Sequence, residues 1–228
     1  MTKLTRSKML LKLFVVLALF VASTFADNDP NCGTKGPKPS QRIVGGVNAE
    51  PLEFPWQGSL RYFSPTAGWY HTCGCSLINK RWVLTASHCV NRSGVVDPTK
   101  YRFVGGEHDR SINEGKEVEV GITDIFVSPL WDPDRIDGDA SLLKLERDLK
   151  LDDEEKHLGT VCIPDVEDLD KHAGKTCIAT GWGNTAWQGT SPNILQKVEV
   201  KIIDQATCAS RYAIVNPISS RMLCFGEK

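Results

Sequence analysis

An all-β sandwich or barrel is the fold class this sequence predicts, on three observations. Short runs rich in Val, Ile, Leu and Thr recur from residue 43 onward, a composition that suits a pleated, half-buried surface. Gly, Pro, Asn or Asp punctuates the intervals between them, where turns need unusual backbone angles or a local side-chain acceptor. No long stretch carries apolar residues at the helical period, and no segment of roughly 20–50 residues repeats, which excludes bundles and solenoids.

Residues 82–86 (WVLTA) form the first strand-like run, and residues 117–127 and 140–145 follow it. Two more runs, 175–180 and 196–203, complete the series. Within the last, Lys197-Val198-Glu199-Val200-Lys201-Ile202 alternates polar with apolar, as a half-buried strand should. Asp204 followed by residues 205–212 predicts one short helix, because an Asp side chain accepts the unpaired amides of a first helical turn.

The amino end reads as a targeting segment. Residues 1–12 carry Lys3, Arg6, Lys8 and Lys12 and no acidic group, residues 13–22 are wholly apolar, and Thr24-Phe25-Ala26 follows. Charge, apolar core and small residues in that order predict a secretory signal peptide over residues 1–26. Its apolar run is about half of the roughly 20 residues needed to span a bilayer, so no membrane association is expected after its removal. Residues 27–42, rich in Pro, Gly and polar groups, read as an exposed propeptide that cannot bury a core. The domain proper is residues 43–228.

The whole chain has a formal net charge of −1. Without residues 1–42, 20 basic groups stand against 26 acidic ones, a net of −6. No basic excess points to nucleic acid. Export makes the eight cysteines candidates for bridges before metal ligands, and no C-x-x-C pair is present.

Three local patterns carry chemistry. Arg42-Ile43-Val44-Gly45-Gly46 sets a basic residue in the exposed segment before an apolar one and two glycines; Thr85-Ala86-Ser87-His88-Cys89 follows an apolar strand; and Asp137-Gly138-Asp139-Ala140-Ser141-Leu142-Leu143-Lys144-Leu145 opens another. Together, in this order, they resemble the chymotrypsin/trypsin family of secreted serine proteases. The resemblance runs from about Cys32 to Cys224 and includes Cys73-Gly74-Cys75-Ser76, Glu107-His108-Asp109, Gly181-Trp182-Gly183 and Met222-Leu223-Cys224. Ser87 stands where the family usually has Ala, and Cys75 where it has Gly.

The resemblance implies two packed antiparallel six-stranded β-barrels with the active site between them. His88 is then the general base and acid, since imidazole both takes and returns a proton near neutrality. Asp139 orients that imidazole and stabilises its charged form; Asp137 is the rival, but the frame D-x-S-L-L-K-L points to Asp139. Cleavage after Arg42 by an Arg-specific protease frees the Ile43 amine to pair with a buried carboxylate. Glu107, Asp109, Ile112, Glu114 and Glu117 match a calcium-binding loop, two of them through backbone carbonyls, while catalysis itself requires no cofactor. Asn91-Arg92-Ser93 is the one N-x-S/T sequon, a glycosylation acceptor at Asn91. The expected partners are protein or peptide substrates, the activating protease and protease inhibitors; the expected location is extracellular.

The family pairing implies bridges Cys32–Cys162, Cys73–Cys89 and Cys208–Cys224. It leaves Cys177, whose usual partner would lie beyond residue 228, and Cys75, which has none. The family's nucleophile sits in a G-D-S-G-G-P motif after the cysteine matching Cys224, and no such motif occurs in these 228 residues. Ser219 and Ser220 read as ordinary loop serines. From Ile43 the chain has 186 residues against about 200–250 for a large single all-β domain. The expectation is therefore a protease zymogen truncated at its carboxyl end, with an incomplete second barrel. As it stands the chain is inactive, since losing the nucleophile costs about 10⁶ in rate. A truncated, non-catalytic homologue acting as a secreted binding or decoy protein is the alternative, and an unstable splice product the third reading.

Overall fold

Six antiparallel strands close on themselves in the first half of the computed structural model, which describes residues 28–34, 36, 46–164, 169–185 and 188–226. The predicted signal peptide and the cleavage site at Arg42 and Ile43 lie outside the described residues. The closed barrel runs β2 (Gln57–Ser64), β3 (Gly68–Asn79), β4 (Trp82–Thr85), β7 (Ser141–Leu145), β6 (Val118–Val127), β5 (Tyr101–Gly105) and back to β2. Closure leaves this sheet no open edge.

Alternation explains the barrel's interior. Along β7, Ser141, Leu143 and Leu145 are buried while Leu142 and Lys144 are partly exposed. Leu60, Leu77, Val83, Phe103, Val120, Leu143 and Leu145 form its core, each at most 1% exposed. The hairpin β2–β3 turns at Gly68, whose φ of +69° is reached without a Cβ penalty. Register shifts at Leu60/Arg61 in β2 and Leu77/Asn79 in β3 bend these walls.

The second half is built on β9 (Gln196–Ile203). It pairs with β1 (Val47–Asn48), β8 (Thr176–Gly181) and β10 (Cys224–Gly226), all antiparallel, so that four strands form this sheet among the described residues. Ala49, Phe54, Trp182 and Leu195 make its small core. Two α-helices are found among the described residues: α1 (Ser87–Val90) and α2 (Gln205–Tyr212). The Asp204 side chain accepts the Thr207 amide at 2.8 Å and caps α2.

The strand runs read from the sequence match β4, β6, β7, β8 and β9 to within a residue or two. One position departs from the pattern. Lys197, a polar member of the alternating run, is 3% exposed. Its Nζ donates to both carboxylate oxygens of Glu53, at 2.9 and 2.6 Å. A buried ammonium is tolerated because a buried carboxylate faces it.

Candidate active site

His88 enters the site on a strand-to-helix transition. Strand β4 ends at Thr85, Ala86 stays extended, and Ser87 to Val90 make a single helical turn. Two ties fix that turn. The Cys73–Cys89 disulfide joins it to β3, and the buried Ser87 hydroxyl donates to the Ala140 carbonyl at 2.7 Å and meets the Ser141 hydroxyl at 2.9 Å. The departure from the usual Ala thus adds a link between α1 and the start of β7, next to Asp139.

Asp139 arrives from the other side, at the end of the β6–β7 loop. Its Oδ1 accepts the His88 backbone amide at 2.9 Å, and its Oδ2 lies 2.6 Å from His88 Nδ1. Facing a carboxylate, Nδ1 is the protonated nitrogen, and Nε2 keeps its lone pair. The imidazole is 59% exposed while the carboxylate is 18% exposed. One face of the pair is thus open and its hinge is shielded. A cavity of about 380 Å³ adjoins Asp139, lined by Gln57, Gly74, Thr85, Ala140 and Thr180 among others. Asp137 is turned away from His88. It accepts from Ser219 Oγ at 2.7 Å and from the Arg221 guanidinium, so Ser219 is committed elsewhere.

The acidic loop at residues 107–117 is folded on itself. Ser111 holds the Asp109 carboxylate and lowers its pKa. Glu114 accepts the Asp109 amide at 3.0 Å, and Glu117 accepts the amides of Glu114 and Lys116 at 2.6 and 2.9 Å. Ile112 is exposed. Glu107 is 4% exposed, with Arg61 on Oε2 at 2.6 Å and Oε1 buried without a partner. Burial raises its pKa; Arg61 opposes that, and Glu117 and Glu114 reinforce it. Among the described residues the carboxylates of Glu107, Glu114 and Glu117 are not drawn together around one point; the orphaned Glu107 oxygen is an unsatisfied acceptor of the kind a hard cation takes.

His71 lies behind the site, its Nδ1 2.7 Å from Ser59 Oγ and its ring against Trp182. Burial, then Arg110 and Arg61, lower its pKa from 6.5 to about 4. The folded value lies below the unfolded one, so stability is full above about pH 6.5 and falls as pH drops toward 4. Denaturant unfolding at pH 7 and pH 5 checks this: the wild-type chain loses stability between them, and His71→Gln removes that part of the loss.

The remaining positions sort simply. Disulfides join Cys32–Cys162, Cys73–Cys89 and Cys208–Cys224, the pairs the resemblance implies. Cys75 and Cys177 are free thiols. Burial pushes the Cys75 pKa far up, which makes it inert. Asn91 ends α1 with its amide oxygen buried and without a partner. Sequence reasoning missed three contributions: the Ser87 link, the Glu53–Lys197 pair and the Arg221–Asp137 contact. Each joins residues far apart in the chain, and no local motif marks any of them.

A protein-family model described as Trypsin matches residues 43–228. Chymotrypsin-like elastase family member 3B of Homo sapiens is 34% identical over 198 residues, covering 85% of this chain and 70% of the relative. Chymotrypsin-like elastase family member 1 of Felis catus is 34% identical over 215 residues, 93% of this chain and 75% of the relative. Trypsin-1 of Astacus astacus is 35% identical over 185 residues, with coverages of 81% and 74%.

Proposed function

The chain belongs to the trypsin family of serine proteases, and on that premise we propose that it is the secreted zymogen of a serine endopeptidase with His88 as general base and Asp139 as its orienting acid. The contact of 2.6 Å between His88 Nδ1 and Asp139 Oδ2 carries this reading. It sets the imidazole tautomer that leaves Nε2 free to take the proton of an attacking hydroxyl and return it to the leaving amine. Asp139 stays ionised and stabilises the imidazolium between those steps.

The nucleophile is assigned to a glycine-flanked serine outside these 228 residues, together with the oxyanion donors and the pocket that selects the substrate side chain. Activation follows cleavage after Arg42 by an Arg-specific protease. Strand β1 is held on β9 through Val47–Lys197 and Asn48–Gln196, and Gly46 just before it takes φ +80°. The apolar leader and three disulfides support an extracellular location. Protein or peptide substrates and protease inhibitors are the partners. Glu107, Glu114 and Glu117, with the carbonyls of Asp109 and Ile112, would hold calcium; a bound ion supplies rigidity to the loop and no catalytic step. Asn91 is the proposed glycan acceptor.

The second reading is a non-catalytic homologue acting as a secreted binding or decoy protein. Reading the transcript past codon 228 separates the two. An open frame that encodes a glycine-flanked serine supports the protease; a stop codon directly after Lys228 supports the decoy.

A further inference from the structure

We infer that Arg221 and Ser219 are positioning residues for Asp139, acting through Asp137. The inference rests on the reading of His88 and Asp139 as a catalytic pair and adds to it a clamp from the second half of the molecule.

The β6–β7 loop reaches Asp139 through a constrained path. Asp132 and Asp137 exchange backbone hydrogen bonds at 2.8 and 3.1 Å and pinch the loop. Ile136 and Gly138 then take φ values of +52° and +62°. A β-branched residue rarely adopts that region, so surrounding contacts must hold Ile136 there. At Gly138 only glycine fits, because a Cβ would lie 2.3 Å from the Leu130 carbonyl oxygen. A strained Ile136 and a Gly138 in a conformation that suits glycine alone flank one residue, and the aim of Asp139 depends on whatever fixes it.

That residue is Asp137, whose side chain is 5% exposed. Its Oδ1 accepts the Gly138 amide at 2.8 Å, Ser219 Oγ at 2.7 Å and Arg221 Nε at 3.1 Å. Its Oδ2 accepts from the other arm of the Arg221 fork. These hydrogen bonds keep the Asp137 pKa low, with Arg221 the largest cause and Ser219 the next. A third tie runs from Asn216 Nδ2 to the Arg135 carbonyl at 2.8 Å. All these donors outside the loop lie between α2 and β10, a segment closed by Cys208–Cys224 and by Gln205 bonding to the Ser219 carbonyl. The planar two-point fork fixes direction as well as charge, which a lysine ammonium cannot do. The arrangement of the second half is thereby transmitted to a pair carried wholly by the first barrel.

The test follows the His88 Nδ1 proton by NMR in the 228-residue chain with ¹⁵N-labelled histidine. The wild type shows a low-field resonance exchanging slowly with water. Arg221→Gln accelerates that exchange by about tenfold or more, the factor that losing a charge-assisted hydrogen bond corresponds to, and Arg221→Lys restores part of it. Ser219→Ala, which deletes one hydroxyl and cannot threaten the fold as a whole, accelerates it less. Arg147→Gln breaks a comparable arginine–carboxylate pair with Glu155 and leaves the resonance unmoved. Unchanged exchange in both Arg221→Gln and Ser219→Ala, with the resonance present in the wild type, overturns the clamp. Absence of the resonance from the wild type overturns the His88–Asp139 pair itself.

Discussion

Replacing Asp139 with asparagine lowers kcat by about 10⁴-fold once the chain is joined to a family segment bearing the glycine-flanked serine. The size of the effect follows from the tautomer. With a carboxylate at 2.6 Å from Nδ1, the proton stays on Nδ1 and Nε2 acts as base. An asparagine that turns its amide NH₂ toward Nδ1 donates where the aspartate accepted, so the proton moves to Nε2 and the base is lost. KM changes little, because neither side chain is required for ground-state binding of the peptide. Asp137→Asn gives a smaller loss, since it weakens the aim of Asp139 and leaves the carboxylate in place. Equal losses in the two variants would reassign the orienting acid.

The second large effect is on stability. Glu53→Gln is expected to cost about 3–5 kcal/mol, the range for removing one partner of a buried ion pair, and to lower Tm by on the order of 10 °C. The glutamine carbonyl can still accept the Glu50 amide that Glu53 now holds at 2.9 Å. Its uncharged amide cannot compensate a Lys197 ammonium that is 3% exposed. The double variant Glu53→Gln/Lys197→Met removes the uncompensated charge and recovers most of the loss. Thermal unfolding of the three chains checks this, and a double variant no better than the single one contradicts it. The pair spans 144 positions in sequence and joins the segment after β1 to β9.

How much was legible in advance depended on whether the signal was local. Strand β9 and helix α2 were readable, one from its alternation and the other from its Asp204 cap. Strands β2 and β3 were not. The twelve residues of β3 mix aromatic, glycine and cysteine positions, and only Cys75 to Ile78 shows buried residues alternating with partly exposed ones. Register shifts in both strands interrupt the two-residue period on which strand reading relies. At the site, His88 and Asp139 were marked by the residues beside them in sequence. Arg221 and Ser219 reach Asp137 across 84 and 82 positions, and the serine had looked like any loop residue. Lys197 looked like the solvent side of an amphipathic strand because its counter-charge lies in another segment.

The most direct test of the catalytic assignment is fluorophosphonate labelling of the protein expressed from its own transcript and cleaved after Arg42. A serine outside residues 1–228 is expected to take the label, with labelling suppressed by His88→Ala and by omission of the cleavage. Cleaved wild-type protein that takes no label, or that labels equally well without His88, contradicts it.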